Sequence, residues 1–178
     1  MAPTGAVSPG ALQLAFYTPV REYPPLADRK ASVLLAANGL MVTVLLTFSG
    51  AIESIFTGPN RVPVFLMAGI LGPLSVLILL GAWNAFRALT RPIPPMPDSL
   101  AFYPHIAARS LGDYVGVMEG LDADRAVVAM LHYNYTIATL SVAKFRLVER
   151  SLACARATFE LWMVLLLIIV LFRYPITP

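Results

Sequence analysis

Charge is scarce in this chain. Of its 178 residues only 13% are Asp, Glu, Lys or Arg, about half the ~25% of an ordinary soluble domain. So few charges do not cover the surface of a soluble domain, and a chain that is 58% hydrophobic is not disordered either. Cysteine is almost absent. The single Cys154 excludes an intrachain disulfide and a Cys-rich metal site, and it implies no redox compartment. Histidine is limited to His105 and His132, far apart and with no Cys or carboxylate at metal-ligand spacing, so both read as interfacial or packing residues. There is no GxGxxG after a strand, no GxxxxGK[ST] and no nucleophile elbow. We therefore expect no catalytic residues, no metal and no cofactor. The net charge of +3 is scattered, which leaves no nucleic-acid footprint. The N-terminus has no basic start before an apolar core and does not read as a cleaved signal peptide. These exclusions leave a small integral membrane protein.

Three windows hold the hydrophobicity. Residues 31–52 give 22 residues without a charge, about 33 Å as a helix and enough to cross a ~30 Å hydrocarbon core. Residues 62–86 give 25 more, with Pro63 at the start and Pro73 inside, where it is expected to kink the helix. The third window, Leu161 to Phe172, has 12 continuous apolar residues. It reaches spanning length only by extending back to Ala153, with Arg156 and Glu160 snorkelling or pairing near an interface. The expected spans are thus 31–52, 62–86 and 153–172. Basic residues near the span ends set the orientation. Arg21, Arg29 and Lys30 precede the first span, Arg87 and Arg91 follow the second, and Lys144, Arg146 and Arg150 precede the third. The expected topology places residues 1–30 and 87–152 in the cytoplasm, with Arg61 and Arg173 as minority votes.

The cytoplasmic middle begins with a proline-rich break at Pro92, Pro94, Pro95 and Pro97, which leaves no helix there. Asp98 or Ser99 is a possible cap, and the better helical pattern runs from about Ile106 to Met118, ending at Gly120. Asp122 then caps a second helix. The sequence after it has no proline or glycine until past Phe172, so one helix of about 76 Å can run from the cytoplasm through the third span. The fold class expected is an all-α membrane protein with three transmembrane helices and a cytoplasmic helical hairpin-like region, its last helix continuous with the third span.

Several polar residues stand out against this background. Asp28, Arg29 and Lys30 place both signs just before the first span, where they anchor the interface, hold the cytoplasmic helices or contact a ligand. Asn38, next to Gly39, is an uncharged amide at membrane depth that faces another helix or a pore. Glycines of Gly-Ile-Leu-Gly-Pro in the second span are small enough to let helices approach. Tyr133, Asn134 and Lys144, with Arg146 nearby, offer an aromatic face, an amide and cations. Asn134 and Lys144 are ten residues apart, roughly 15 Å along one helix, so a small anionic ligand would need partners from elsewhere.

The order of these segments resembles a known family. ADRKASVLLAANG opening the first span, PHIAARSLGDYVGVMEGL, and YNYTIATLSVAKFRLVERS leading into the last span resemble the membrane effectors of bacterial pyrimidine-cyclase antiphage systems, the Pycsar effectors of PycTM type. The resemblance covers roughly residues 12–172 and rests on Asp28, Lys30 and Ala31, on Asn38-Gly39, and on Asn134 with Lys144. It implies a non-enzymatic effector in the bacterial inner membrane. A cognate pyrimidine nucleotide cyclase would make cyclic UMP or cyclic CMP on infection. The effector would respond by impairing the lipid bilayer, so that the cell stops growing or dies. Three spans are a thin wall for a pore, so a homo-oligomer is expected. The family supplies no nucleotide contacts here. Lys30, Tyr133, Asn134, Lys144 and Arg146 are proposed as ligand contacts from their own chemistry, with Asp28, Asn38 and Gly39 as structural or helix-contact residues. The competing readings are a small membrane scaffold that binds a protein partner through its cytoplasmic helices, and a constitutive channel. Against a channel, the spans hold only two amides, Asn38 and Asn84, and show no internal repeat.

Overall fold

The computed structural model describes residues 9–58, 61–94 and 106–173, with the side chains of residues 21–122 and 124–172 within them. These residues are all helical or connecting: α1 (Pro9–Thr47), α2 (Ser49–Phe56), α3 (Arg61–Thr90), α4 (Leu111–Glu119) and α5 (Ala123–Arg173). Three stretches, Arg21–Thr47, Arg61–Thr90 and Asp124–Phe172, are long and apolar enough to cross a membrane. Their outward side chains are large and apolar, with Phe65 75% and Leu79 70% exposed. Water would not tolerate such a surface, whereas lipid does. The chain is a multi-pass membrane protein.

The first apolar window is not one helix. α1 ends at Thr47, and α2 restarts at Ser49 after Phe48, whose φ of −90° and ψ of 5° lie outside the helical well. The Phe48 N–H is shared between the carbonyls of Val44 and Leu45, both at 3.2 Å, the three-centre pattern of a helix end. Upstream, α1 begins at Pro9, so the segment before the first span is helical from there onward. It stays helical through Pro24 and Pro25, whose missing N–H groups leave the Val20 and Arg21 carbonyls without intrahelical partners. In the same way α3 runs unbroken through Pro73.

The chain divides into two compact units, Met1–Leu26 with Pro92–Lys144, and Ala27–Arg91 with Phe145–Pro178. In the second unit, α1, α3 and α5 pack as a bundle in layers. At one end Ala31 and Leu34 of α1 meet Ala88 and Leu89 of α3 and Leu147 and Val148 of α5. At the other, Met67, Leu74 and Ile78 of α3 meet Leu165, Ile168 and Ile169 of α5, with Ala51 and Ile55 of α2. Phe48 closes this end edge-on against Trp162, ring centroids 6.3 Å apart. The layers ascend in residue number along α1 and α5 and descend along α3, as alternating spans require.

The first unit contains α4 and the start of α5. α4 begins at Leu111, not at Ile106. Ile106 belongs to a separate turn closed by the Arg109 N–H on its carbonyl at 3.2 Å. Ser110 sets the later start: its hydroxyl accepts the Asp113 N–H at 3.1 Å and donates to the Asp113 carboxylate at 2.6 Å. Asp98 and Ser99 lie outside the described residues. Asp122 caps α5 as expected, its carboxylate accepting the Arg125 N–H at 2.7 Å, and the helix then continues for 51 residues through the third span.

Candidate functional site

Polar side chains on the inner faces of the helices are few. On α5 they follow the packing. Ile137, Lys144, Ser151, Thr158 and Leu165 are all buried and recur every seven residues. Seven residues are close to two helical turns, so these positions share one face, the spacing of a left-handed helix seam. The middle three members of that apolar seam are polar.

In the first unit the seam carries one candidate ligand residue, Lys144, with Tyr133 and Asn134 earlier on the same helix. Lys144 is 6% exposed, and an ammonium so buried requires a partner. Lys144, Tyr133 and Asp28 each have one within the protein. Ser141, also buried, donates to the Ile137 carbonyl at 2.7 Å. Asn134 is half-buried, but its Oδ1 is fully covered and accepts no hydrogen bond. A covered carbonyl oxygen without a donor costs about 1–3 kcal/mol. It is a recognition atom in waiting or a strained one.

The other candidates are placed differently. Arg146, two residues beyond Lys144, is exposed; it stands ~200° round the helix from Lys144, so the two cations do not share a face. Lys30 is exposed, with its ammonium 5.5 Å from the ring centre of Phe145. That cation–π contact, worth about 0.5–1 kcal/mol at an exposed position, ties α1 to α5. Asp28 is half-buried, and its backbone carbonyl accepts the Ser32 hydroxyl at 3.0 Å. His132 is exposed and His105 lies outside the described residues. Among the described residues no group of three or more His, Cys, Asp or Glu side chains stands where it could hold a metal ion.

In the second unit the three spans meet at Gly81. A Cβ there would lie 3.1 Å from Asn38 Oδ1 and 3.3 Å from Cys154 Cβ, so only glycine admits this approach without displacement. Asn38 is 4% exposed and donates from Nδ2 to the Leu34 carbonyl at 2.8 Å. Ser151 donates across from α5 to the Gly81 carbonyl at 2.8 Å. One amide, one glycine and one hydroxyl thus join α1, α3 and α5 at membrane depth. Gly39 is exposed and a Cβ on it would meet nothing within 4 Å, so it takes no part. Gly69 and Gly72 are equally open, so the close approach falls at Gly81 and not at Gly-Ile-Leu-Gly-Pro. Seven residues beyond Ser151, Thr158 is 1% exposed, and its hydroxyl has no hydrogen-bond partner.

Reading the sequence missed Gly81, Ser151 and Thr158. The seven-residue recurrence of 137, 144, 151, 158 and 165 was the available signal. Within a helix read by charge and apolar content, small hydroxyl residues do not stand out.

Comparison with known proteins gives a family match. The family model described as the Pycsar effector protein domain, PycTM, matches residues 14–172. No curated protein and no solved structure matches the chain.

Proposed function

The chain belongs to the Pycsar effector protein family, and from that premise we propose that it is an inner-membrane effector of bacterial antiphage defence that answers cyclic UMP or cyclic CMP. Effectors of this family are non-catalytic, and the chain is not an enzyme. A cognate pyrimidine nucleotide cyclase supplies the signal. The liganded effector, as a homo-oligomer, impairs membrane integrity, and the infected cell is lost before phage are released. The observation that carries this reading is the family match over residues 14–172, nearly the whole chain.

The residues are chemically suited to such a ligand. A cyclic pyrimidine nucleotide presents one anionic ring phosphate, a sugar hydroxyl and a base edge. Cytosine offers its amino group and uracil its ring N–H, and the unpartnered Asn134 Oδ1 accepts either. The proposed contacts fall at two ends roughly 15 Å apart along α5. Asn134 and Tyr133 would read and stack on a base at one, and Lys144 would neutralise a phosphate at the other, each with partners from a second helix. Lys30 and Arg146, both exposed, belong to the second unit and are proposed as cationic contacts of that unit. Residues 1–30 and 87–152 face the cytoplasm, where the cyclase product appears. α5 holds Asn134, Lys144 and the third span in one helix. A ligand that favours one arrangement of the cytoplasmic helices therefore acts on the membrane part directly.

The test uses the detergent-purified full chain. Calorimetry compares cyclic UMP, cyclic CMP and cyclic AMP, and the same protein is placed in dye-loaded liposomes. One pyrimidine nucleotide is expected to bind and release dye, while cyclic AMP does neither. Alanine at Asn134 or Lys144 weakens binding at least roughly tenfold, ~1.4 kcal/mol, and alanine at Lys30 less. Folded protein that leaks with neither pyrimidine nucleotide refutes direct gating. Undiminished binding in all three alanine variants refutes the site.

A further inference from the structure

Hydroxyl side chains inside a membrane helix have a default solution, a hydrogen bond to the carbonyl one turn back. The outward-facing hydroxyls of the spans take it. Thr43 donates to Gly39 at 3.1 Å, Thr47 to Thr43 at 3.0 Å and Ser75 to Leu71 at 2.8 Å. Thr158 does not. It is 1% exposed, inside the bundle, and its hydroxyl is unpaired. It lies on the same face of α5 as Ser151, whose hydroxyl takes the Gly81 carbonyl, and Asn38 packs at that same glycine. Valine has the shape of threonine and would fill the position without an orphaned group. As a packing residue, then, Thr158 is a poor choice for this bundle, because a buried hydroxyl left without a partner is costly there.

We propose that Asn38, Ser151 and Thr158 line the aqueous path that this effector opens, and that Thr158 is unsatisfied in the closed bundle because water is its partner in the open one. The inference rests on the effector reading above and assigns residues to its membrane step. The closed state shuts a polar stripe between three helices. Opening separates α5 from α3 at Gly81, breaks the Ser151 bond, and hydrates all three side chains. The gain in satisfied hydrogen bonds is larger in the open state by the group that Thr158 contributes. Its hydroxyl therefore shifts the closed–open balance toward open.

Two measurements on the full-length protein in liposomes test this. The first compares dye release at saturating nucleotide for the wild type, Thr158→Val and Thr158→Ser. Valine keeps the volume and removes the hydroxyl. It is expected to cut release roughly tenfold, ~1.4 kcal/mol, with nucleotide affinity unchanged, whereas serine retains release. The second uses the only cysteine, Cys154, which is half-buried at the Gly81 contact. A membrane-impermeant thiol reagent is expected to label it several-fold faster with nucleotide than without. Equal leakage from wild type and Thr158→Val, or Cys154 labelling that ignores the nucleotide, overturns the aqueous path while the effector reading stands. A folded wild type that releases no dye with either pyrimidine nucleotide sinks both.

Discussion

Gly81 is the residue on which the membrane bundle turns. Its α-hydrogen leaves room for Asn38 and Cys154 at 3.1 and 3.3 Å from where a Cβ would stand. A leucine there forces Asn38 and Cys154 to give way. Gly81→Leu is expected to destabilise the bundle by at least the ~1–3 kcal/mol of an overpacked core, read as a lower unfolding temperature in detergent. Ser151→Ala is the instructive contrast. It removes the 2.8 Å bond to the Gly81 carbonyl, yet interhelical hydrogen bonds in membranes average only about 0.6 kcal/mol, and that carbonyl keeps its own helix partner. The alanine variant should therefore unfold close to the wild type. If Ser151→Ala proves as damaging as Gly81→Leu, the hydrogen bond and not the close approach holds the spans together. Thr158 and Ser151 were not visible to a reading that scores charge and apolar length, because a hydroxyl changes neither much. Asn38 was visible, since an amide is rare at that depth.

Among the elements, α4 and α5 have caps of similar chemistry and opposite consequence. Ser110 caps a nine-residue helix that has no buried residue, and Asp122 caps one of 51 residues anchored in the bundle. A short helix without packing is marginal. Losing about 1 kcal/mol with Ser110→Ala should melt it, and faster amide exchange over residues 114–119 reports this. The same loss at Asp122 frays one turn of α5 and no more. Exchange over 114–119 that is unchanged by Ser110→Ala would mean that α4 is held by packing instead. The unbroken α5 was legible from the absence of proline and glycine after Asp122. The break at Phe48 was not, because nothing in Leu-Leu-Thr-Phe-Ser-Gly forbids a helix; packing of Phe48 on Trp162 accompanies the bend. The start of α4 was misread because Ile106 continues its apolar period, while the Ser110–Asp113 pair that places the start is a local polar signal.

For the molecule as a whole, orientation in the membrane decides whether the proposed site can see its signal. Three spans place the two chain ends on opposite sides. With spans at 31–52, 62–86 and 153–172 the cations divide unevenly: Arg87, Arg91, Arg109, Arg125, Lys144, Arg146 and Arg150 fall between the second and third, and only Arg61 between the first and second. The positive-inside bias predicts that the longer connection is cytoplasmic. Fusing alkaline phosphatase, which is active only outside the cytoplasm, after Arg91 should give an inactive reporter, and fusing it after Pro178 an active one. The reverse pattern would leave the three spans intact but carry Asn134 and Lys144 to the far side of the membrane from any cytoplasmic cyclase. The ligand reading would then fail on geometry, whatever the affinity of the purified protein. Reporter activity therefore tests the function independently of calorimetry. It is the more demanding test, because binding in detergent cannot distinguish a site that faces its signal from one that faces away.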